Sequence, residues 1–94
     1  MTESGIEPIR NALEQGNTVE AEKLARNTLE RDPEDALVHA YLGAIQMKRG
    51  AVADALQSYR VAIELQPEVG VLHNEFGNAL AASGEFEEAT GALT

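Results

Sequence analysis

Between Ala36 and Leu65 the apolar and small residues do not alternate; they return every third and fourth position. His39, Leu42, Gly43 and Gln46 fall at i, i+3, i+4 and i+7, the stripe of one helix face. Val52, Ala55, Leu56, Tyr59, Ala62 and Ile63 resume the stripe in the next segment. Two helices with a break between them account for both patterns. The break falls at Gly50, where the chain must reverse and where a residue without a Cβ takes positive φ at no steric cost.

The pattern is periodic on a larger scale. A shift of 34 residues superimposes Gly16, Gly50 and Gly84, then Ala21, Ala55 and Ala89, then Pro33 and Pro67, with His39 on His73 and Gly43 on Gly77. A period of this size belongs to stacked repeats, in which no unit buries its apolar face alone. It predicts antiparallel helices near residues 5–15, 18–31, 34–49, 52–65, 68–83 and 85–94, an all-α stack of three helical hairpins. Asp32-Pro33-Glu34-Asp35 reads as a helix start, with Asp32 as the cap and Pro33 in the first turn; Gln66-Pro67-Glu68 repeats it with a weaker cap. Gly43 and Ala55 are small because helices joined by a tight turn approach closely only where the facing side chains are minimal.

This unit, written LVHAYLGAIQMKRGAVADALQSYRVAIELQP in its clearest copy, resembles the tetratricopeptide repeat. Leu42-Gly43, Gly50, Ala55, Tyr59, Ala62 and Pro67 stand where that family expects a large apolar residue, a small one, an aromatic or a proline. The resemblance implies a right-handed superhelix of one domain over residues 1–94, with repeats at 2–35 and 36–69 and a partial third at 70–94. It also implies a piece of a longer protein, or a unit completed by a partner, because fewer than about three repeats rarely stand alone. His39 and His73 occupy a place where the family often has tryptophan, and Gln46 replaces a usual tyrosine. Their positions in the apolar stripe assign the histidines to packing. A zinc site needs three or four converging ligands, which this spacing does not supply.

Composition narrows function by exclusion. The chain has 94 residues, ordinary hydrophobic content at 44%, and no cysteine, so disulfides, thiolate nucleophiles and thiolate metal sites are all absent. No apolar run approaches the ~20 residues of a membrane helix, and Met1 to Pro8 does not read as a secretion signal, which makes a soluble cytoplasmic chain the default expectation. The formal charge is −9, and all seven Lys and Arg lie at or before Arg60. Such a surface repels phosphate backbones and argues against nucleic acid; it suits a basic partner, or serves simply as a solvated acidic face. With no nucleophile elbow, phosphate-binding glycine loop or supported carboxylate pair, the chain is expected to be non-catalytic and without cofactor or metal.

What remains is a surface. Leu37, Ala40, Ala44, Met47 and Lys48 form a second stripe on the helix beginning near residue 34; Val71, Asn74, Asn78 and Ala81 continue it one period on, and Arg10 and Leu13 one period earlier. By the resemblance these face a concave groove that takes a peptide or protein partner. The carboxylate clamp by which some family members hold acidic C-termini would fall on Ile6, Arg10, Tyr41, Val71 and Glu75, where only Arg10 could serve and Glu75 would repel. Two other readings stand beside the groove. Phe86, Ala89 and Leu93 in the shortened third repeat could form a homo-oligomer surface. Alternatively, the chain could position a substrate for a transferase-type domain beyond Thr94, as the family's arrays often do.

Overall fold

A computed structural model describes residues 6–90, with side chains through residue 83. Among the described residues are five helices and no strand: α1 (Ile6–Glu14), α2 (Thr18–Arg31), α3 (Ala36–Lys48), α4 (Val52–Leu65) and α5 (Gly70–Thr90). Each packs on its neighbours in the chain, and α1 also reaches α3. The stack measures 51 × 29 × 19 Å, elongated as expected when units touch only adjacent units.

Both tight reversals are built alike. Gly16 and Gly50 take φ of +77° and +82°. The Gly16 N–H donates to Leu13 O at 3.0 Å and Asn17 N–H to Ala12 O at 2.8 Å; Gly50 N–H donates to Met47 O and Ala51 N–H to Gln46 O at the same two distances. These are the paired bonds of a Schellman motif, with glycine in the left-handed position that satisfies the last carbonyls of the helix. Asn17 then caps α2, its side chain accepting from Glu20 N–H at 3.3 Å.

The turns between repeats also match each other, and each occupies residues that the sequence predicts as a helix start. Asp32 ends α2, its N–H donating to Thr28 O, and α3 is capped by Asp35, whose Oδ1 accepts from Val38 N–H. Pro33 and Glu34 form the turn between, closed by Asp35 N–H to Asp32 O at 3.3 Å. Asp32 is therefore a C-terminal residue, held extended at φ −142° by the proline after it. Gln66 ends α4 in the same way, and Val69 N–H donates to Gln66 O at 3.3 Å. His39 Nε2 donates to Pro33 O at 2.9 Å and His73 Nε2 to Pro67 O at 2.8 Å. The histidines thus tie each repeat to the turn before it, and His73 lies exposed where packing was expected.

Among the described residues no third hairpin is formed. The expected break near Gly84 is absent and α5 runs unbroken from Gly70 to Thr90. Glycine inside a helix costs about 1 kcal/mol, whereas a reversal forgoes several helix hydrogen bonds and is offset only by burying the returning helix. Ala21, Ala25, Ala55, Tyr59 and Ala62 do this for α2 and α4; the segment 85–94 brings Phe86, Ala89, Ala92 and Leu93, with three glutamates in its first turn.

Three buried clusters make the core. Ile9, Ala12, Ala21, Ala25, Val38, Leu42 and Ile45 join α1, α2 and α3. Ala36, Ala62 and Leu72 form the second and Ala55, Tyr59 and Ala79 the third, both spanning α3 or α4 to α5. Helix α3 contributes to two faces at once, which is why its apolar residues run almost all the way round. One polar pair lies within: Ser58 Oγ donates to Gln46 Oε1 at 2.7 Å, both residues buried, fixing α4 against α3 where an unpaired amide would be costly.

Candidate partner-binding site

Two residues set the shape of the surface between α3 and α5. A Cβ built on Gly43 would lie 2.9 Å from Cε1 and Cζ of Tyr59, so the outer edge of the ring rests directly on the backbone of α3. One period earlier the same two places hold Ile9 and Ala25, both fully buried in the first cluster. The sizes are exchanged: a large residue on the first helix and a small one on the second in repeat one, glycine and tyrosine in repeat two. The exchange has a consequence for spacing. Where Ala25 lies behind them, α1 and α3 meet; where the Tyr59 ring lies, α3 and α5 touch at most marginally.

The gap is a cavity of about 200 Å³, lined by Leu37, Ala40, Tyr41 and Ala44 of α3, Tyr59 of α4, and Val71, Leu72 and Glu75 of α5. Leu37 and Val71, one period apart, stand at its rim with 43% and 56% of their surface exposed. The alanines leave depth between them. Tyr59 is buried, and that burial, with the Glu75 carboxylate nearby, pushes its phenol up to about 12, so the group is a neutral hydrogen-bond donor at ordinary pH. A second hollow of about 420 Å³ shares Leu37 and Leu72 with the first and is lined further by Asp32, Glu34, Asp35, Ala36, Gln66 and Val69. A larger hollow of about 490 Å³ lies where Ser83 passes the α3–α4 turn, but Asp54 is its only charged residue and no set of polar groups converges there.

The expected groove residues divide accordingly. Leu37, Ala40, Ala44 and Val71 come together in the cavity. Leu13 and Met47 pack against the core clusters instead, half-buried. Arg10, Lys48, Asn74, Asn78 and Ala81 are exposed and outside the lining, and Arg10 pairs with Glu7 at 3.1 Å. The side chains of Phe86 and Ala89, and the whole of Leu93, lie outside the described residues. Tyr59 and Leu72 are lining residues that the stripe on α3 could not reveal, since one sits on α4 and the other in the buried face of α5. The exchange of Ile9 and Ala25 for Gly43 and Tyr59 is a signal in the sequence that points to the first of them.

Compared with known proteins, residues 9–69 match the tetratricopeptide repeat family. The chain belongs to the tetratricopeptide repeat family. An uncharacterized protein of Haemophilus influenzae is 30% identical over 84 residues, 89% of this chain and 47% of its own length. The TPR repeat-containing protein YpiA of Bacillus subtilis is 35% identical over 67 residues, 69% of this chain and 15% of its own. The chain therefore spans about half of one relative and a smaller part of the other. Tetratricopeptide repeats generally mediate contacts between proteins and are typically scaffolds without chemistry of their own. Among the described residues no helix is long and apolar enough to cross a membrane, and no three metal-ligating side chains converge.

Proposed function

We propose that this tetratricopeptide unit is a protein-interaction module and that the gap between α3 and α5 receives an extended segment of its partner. The observation that carries the reading is the exposed pair Leu37 and Val71, set on either side of a cavity lined by Ala40 and Ala44. Isolated exposed apolar residues need no explanation, but two that converge on one concavity, at equivalent positions of successive repeats, are what a receiving surface requires. The experiment is selection from a displayed library of random peptides, on the wild-type chain and on the double variant Leu37→Ser with Val71→Ser. Peptides enriched on the first are expected to be lost on the second while helicity is retained. Equal retention by both would move the contact surface elsewhere.

A further inference from the structure

Among the cavity residues one buried polar group is unaccounted for. Tyr59 is 2% exposed, yet its hydroxyl has no hydrogen-bond partner among the described residues. The ring leaves α4, crosses Gly43 with Cζ against the α3 backbone, and reaches the lining of the cavity. Glu75 is near enough to act on the phenol through its charge, without a hydrogen bond to it. A buried donor left without an acceptor is costly, and proteins rarely keep one without a use for it. The family pattern accepts an aromatic at this place, and phenylalanine would fill the same volume with no such cost.

The charge around the cavity is of one sign. Glu75 is on its wall, and Asp32, Glu34 and Asp35 line the adjoining hollow that shares Leu37 and Leu72. No lysine or arginine lines either hollow. An occupant bearing carboxylates would be opposed along the whole length, and one bearing only apolar groups would leave Glu75 facing it unpaired.

We propose that the occupant is an extended basic peptide: an apolar side chain enters between Leu37 and Val71, a main-chain carbonyl beside it accepts a hydrogen bond from the Tyr59 hydroxyl, and a neighbouring Lys or Arg pairs with Glu75. The proposal rests on the groove reading above and adds the chemistry of the partner to it. Tyr59 supplies a fixed donor for the backbone, Glu75 selects charge, and the acids at the α2–α3 turn extend the same preference along the chain of the partner.

The test uses three labelled twelve-residue peptides that share the same two leucines and glycines and carry four lysines, four glutamates or four serines; binding is read by fluorescence anisotropy. The lysine peptide is expected to bind most tightly and the glutamate peptide least. Glu75→Gln weakens the lysine peptide several-fold, while Glu64→Gln, an equal change of charge on the exposed side of α4, leaves it as it was. Tyr59→Phe weakens the lysine and serine peptides alike, by roughly two- to tenfold, the worth of one neutral hydrogen bond. Without peptide, the same variant melts at the wild-type temperature or above, because it removes a donor that had no partner. A lower melting temperature would mean that the hydroxyl is bonded inside the protein, and the proposal would fall. Equal effects of Glu75→Gln and Glu64→Gln would reduce the preference to general attraction by an acidic chain, and absence of binding by all three peptides would overturn the proposal outright. Retention of the lysine peptide by Leu37→Ser with Val71→Ser would sink the groove itself, a result distinct from failure at Tyr59 or Glu75.

Discussion

A glycine means opposite things at two equivalent positions of this chain. Gly43 carries the Tyr59 ring, whereas a Cβ on Gly77, one period later, would meet nothing within 4 Å among the described residues. Helix propensity alone favours alanine over glycine by about 1 kcal/mol at either place. At Gly43 the added methyl must displace a ring held by Ala55 and Ala79 in the third cluster, and overpacking of this kind costs about 1–3 kcal/mol. Gly43→Ala is thus expected to lower stability by about 1 kcal/mol net, and Gly77→Ala to raise it by up to about 1 kcal/mol. Denaturant melts of the two single variants check the sign directly. Both glycines look alike in a self-alignment of the sequence; what separates them is whether an aromatic ring reaches them from the neighbouring helix.

At the scale of elements, the joint between α2 and α3 has an ionic part. Glu22 on α2 accepts from Arg26 at 2.8 Å within its own helix and also from Arg49, just past the end of α3. The Arg26 hydrogen bond, helped by the charge of Arg49 and opposed by some loss of solvent, holds the Glu22 carboxyl below its ordinary value. A carboxylate with a depressed folded pKa adds stability above its unfolded value of about 4.3, and that stability is lost as pH falls through the folded one. Glu22→Gln should therefore melt below the wild type at neutral pH, by an amount worth about 1 kcal/mol or less for a pair with half-exposed arginines, and the two curves should converge in acid. A difference that persists below pH 3 would assign the effect to packing instead. The elements themselves were largely legible beforehand: α2 and α4 lie where the apolar period put them, because glycine and proline bound them on both sides. The starts of α3 and α5 lie two residues later than the sequence predicts, since proline serves equally well in a first helical turn and in the corner before it. The reversal expected at Gly84 follows from the 34-residue period, which carries no measure of the apolar surface a returning helix must bury. Val38 and Ile45, fully buried, escaped the single-stripe reading because α3 is covered on more than one face.

For the whole molecule, the clusters are arranged in sequence along the stack. The first unites α1 to α3, and the other two depend on α5 through Leu72 and Ala79. In such an array stability is close to a sum of local terms and interfaces between neighbours, so damage at one end need not spread. Leu72→Ala, at a buried position where this change costs about 2–5 kcal/mol, is expected to speed amide exchange in α5 and the facing part of α4 while leaving α2 and the first half of α3 protected. Uniform loss of protection along the chain would show instead that the stack unfolds as one unit. The fold class was plain from the 34-residue period; the candidate site was legible only in part, because Leu37 and Val71 announce themselves on the helix surface and the floor between them is made by a residue from behind.

The matched corners at Gly16 and Gly50 have a bearing on how such chains arise. Each is closed by main-chain bonds and one glycine, so no side chain on either flank must be remembered for the corner to form. A duplication of 34 residues copies a finished corner along with its helices. After duplication the flanking residues are free to drift, and Ile9 with Ala25 can be exchanged for Gly43 with Tyr59 while the corner itself is kept. Inheritance of the corner and divergence of the surface are separate events, and a lineage can lengthen its protein first and give the new concavity something to hold afterwards.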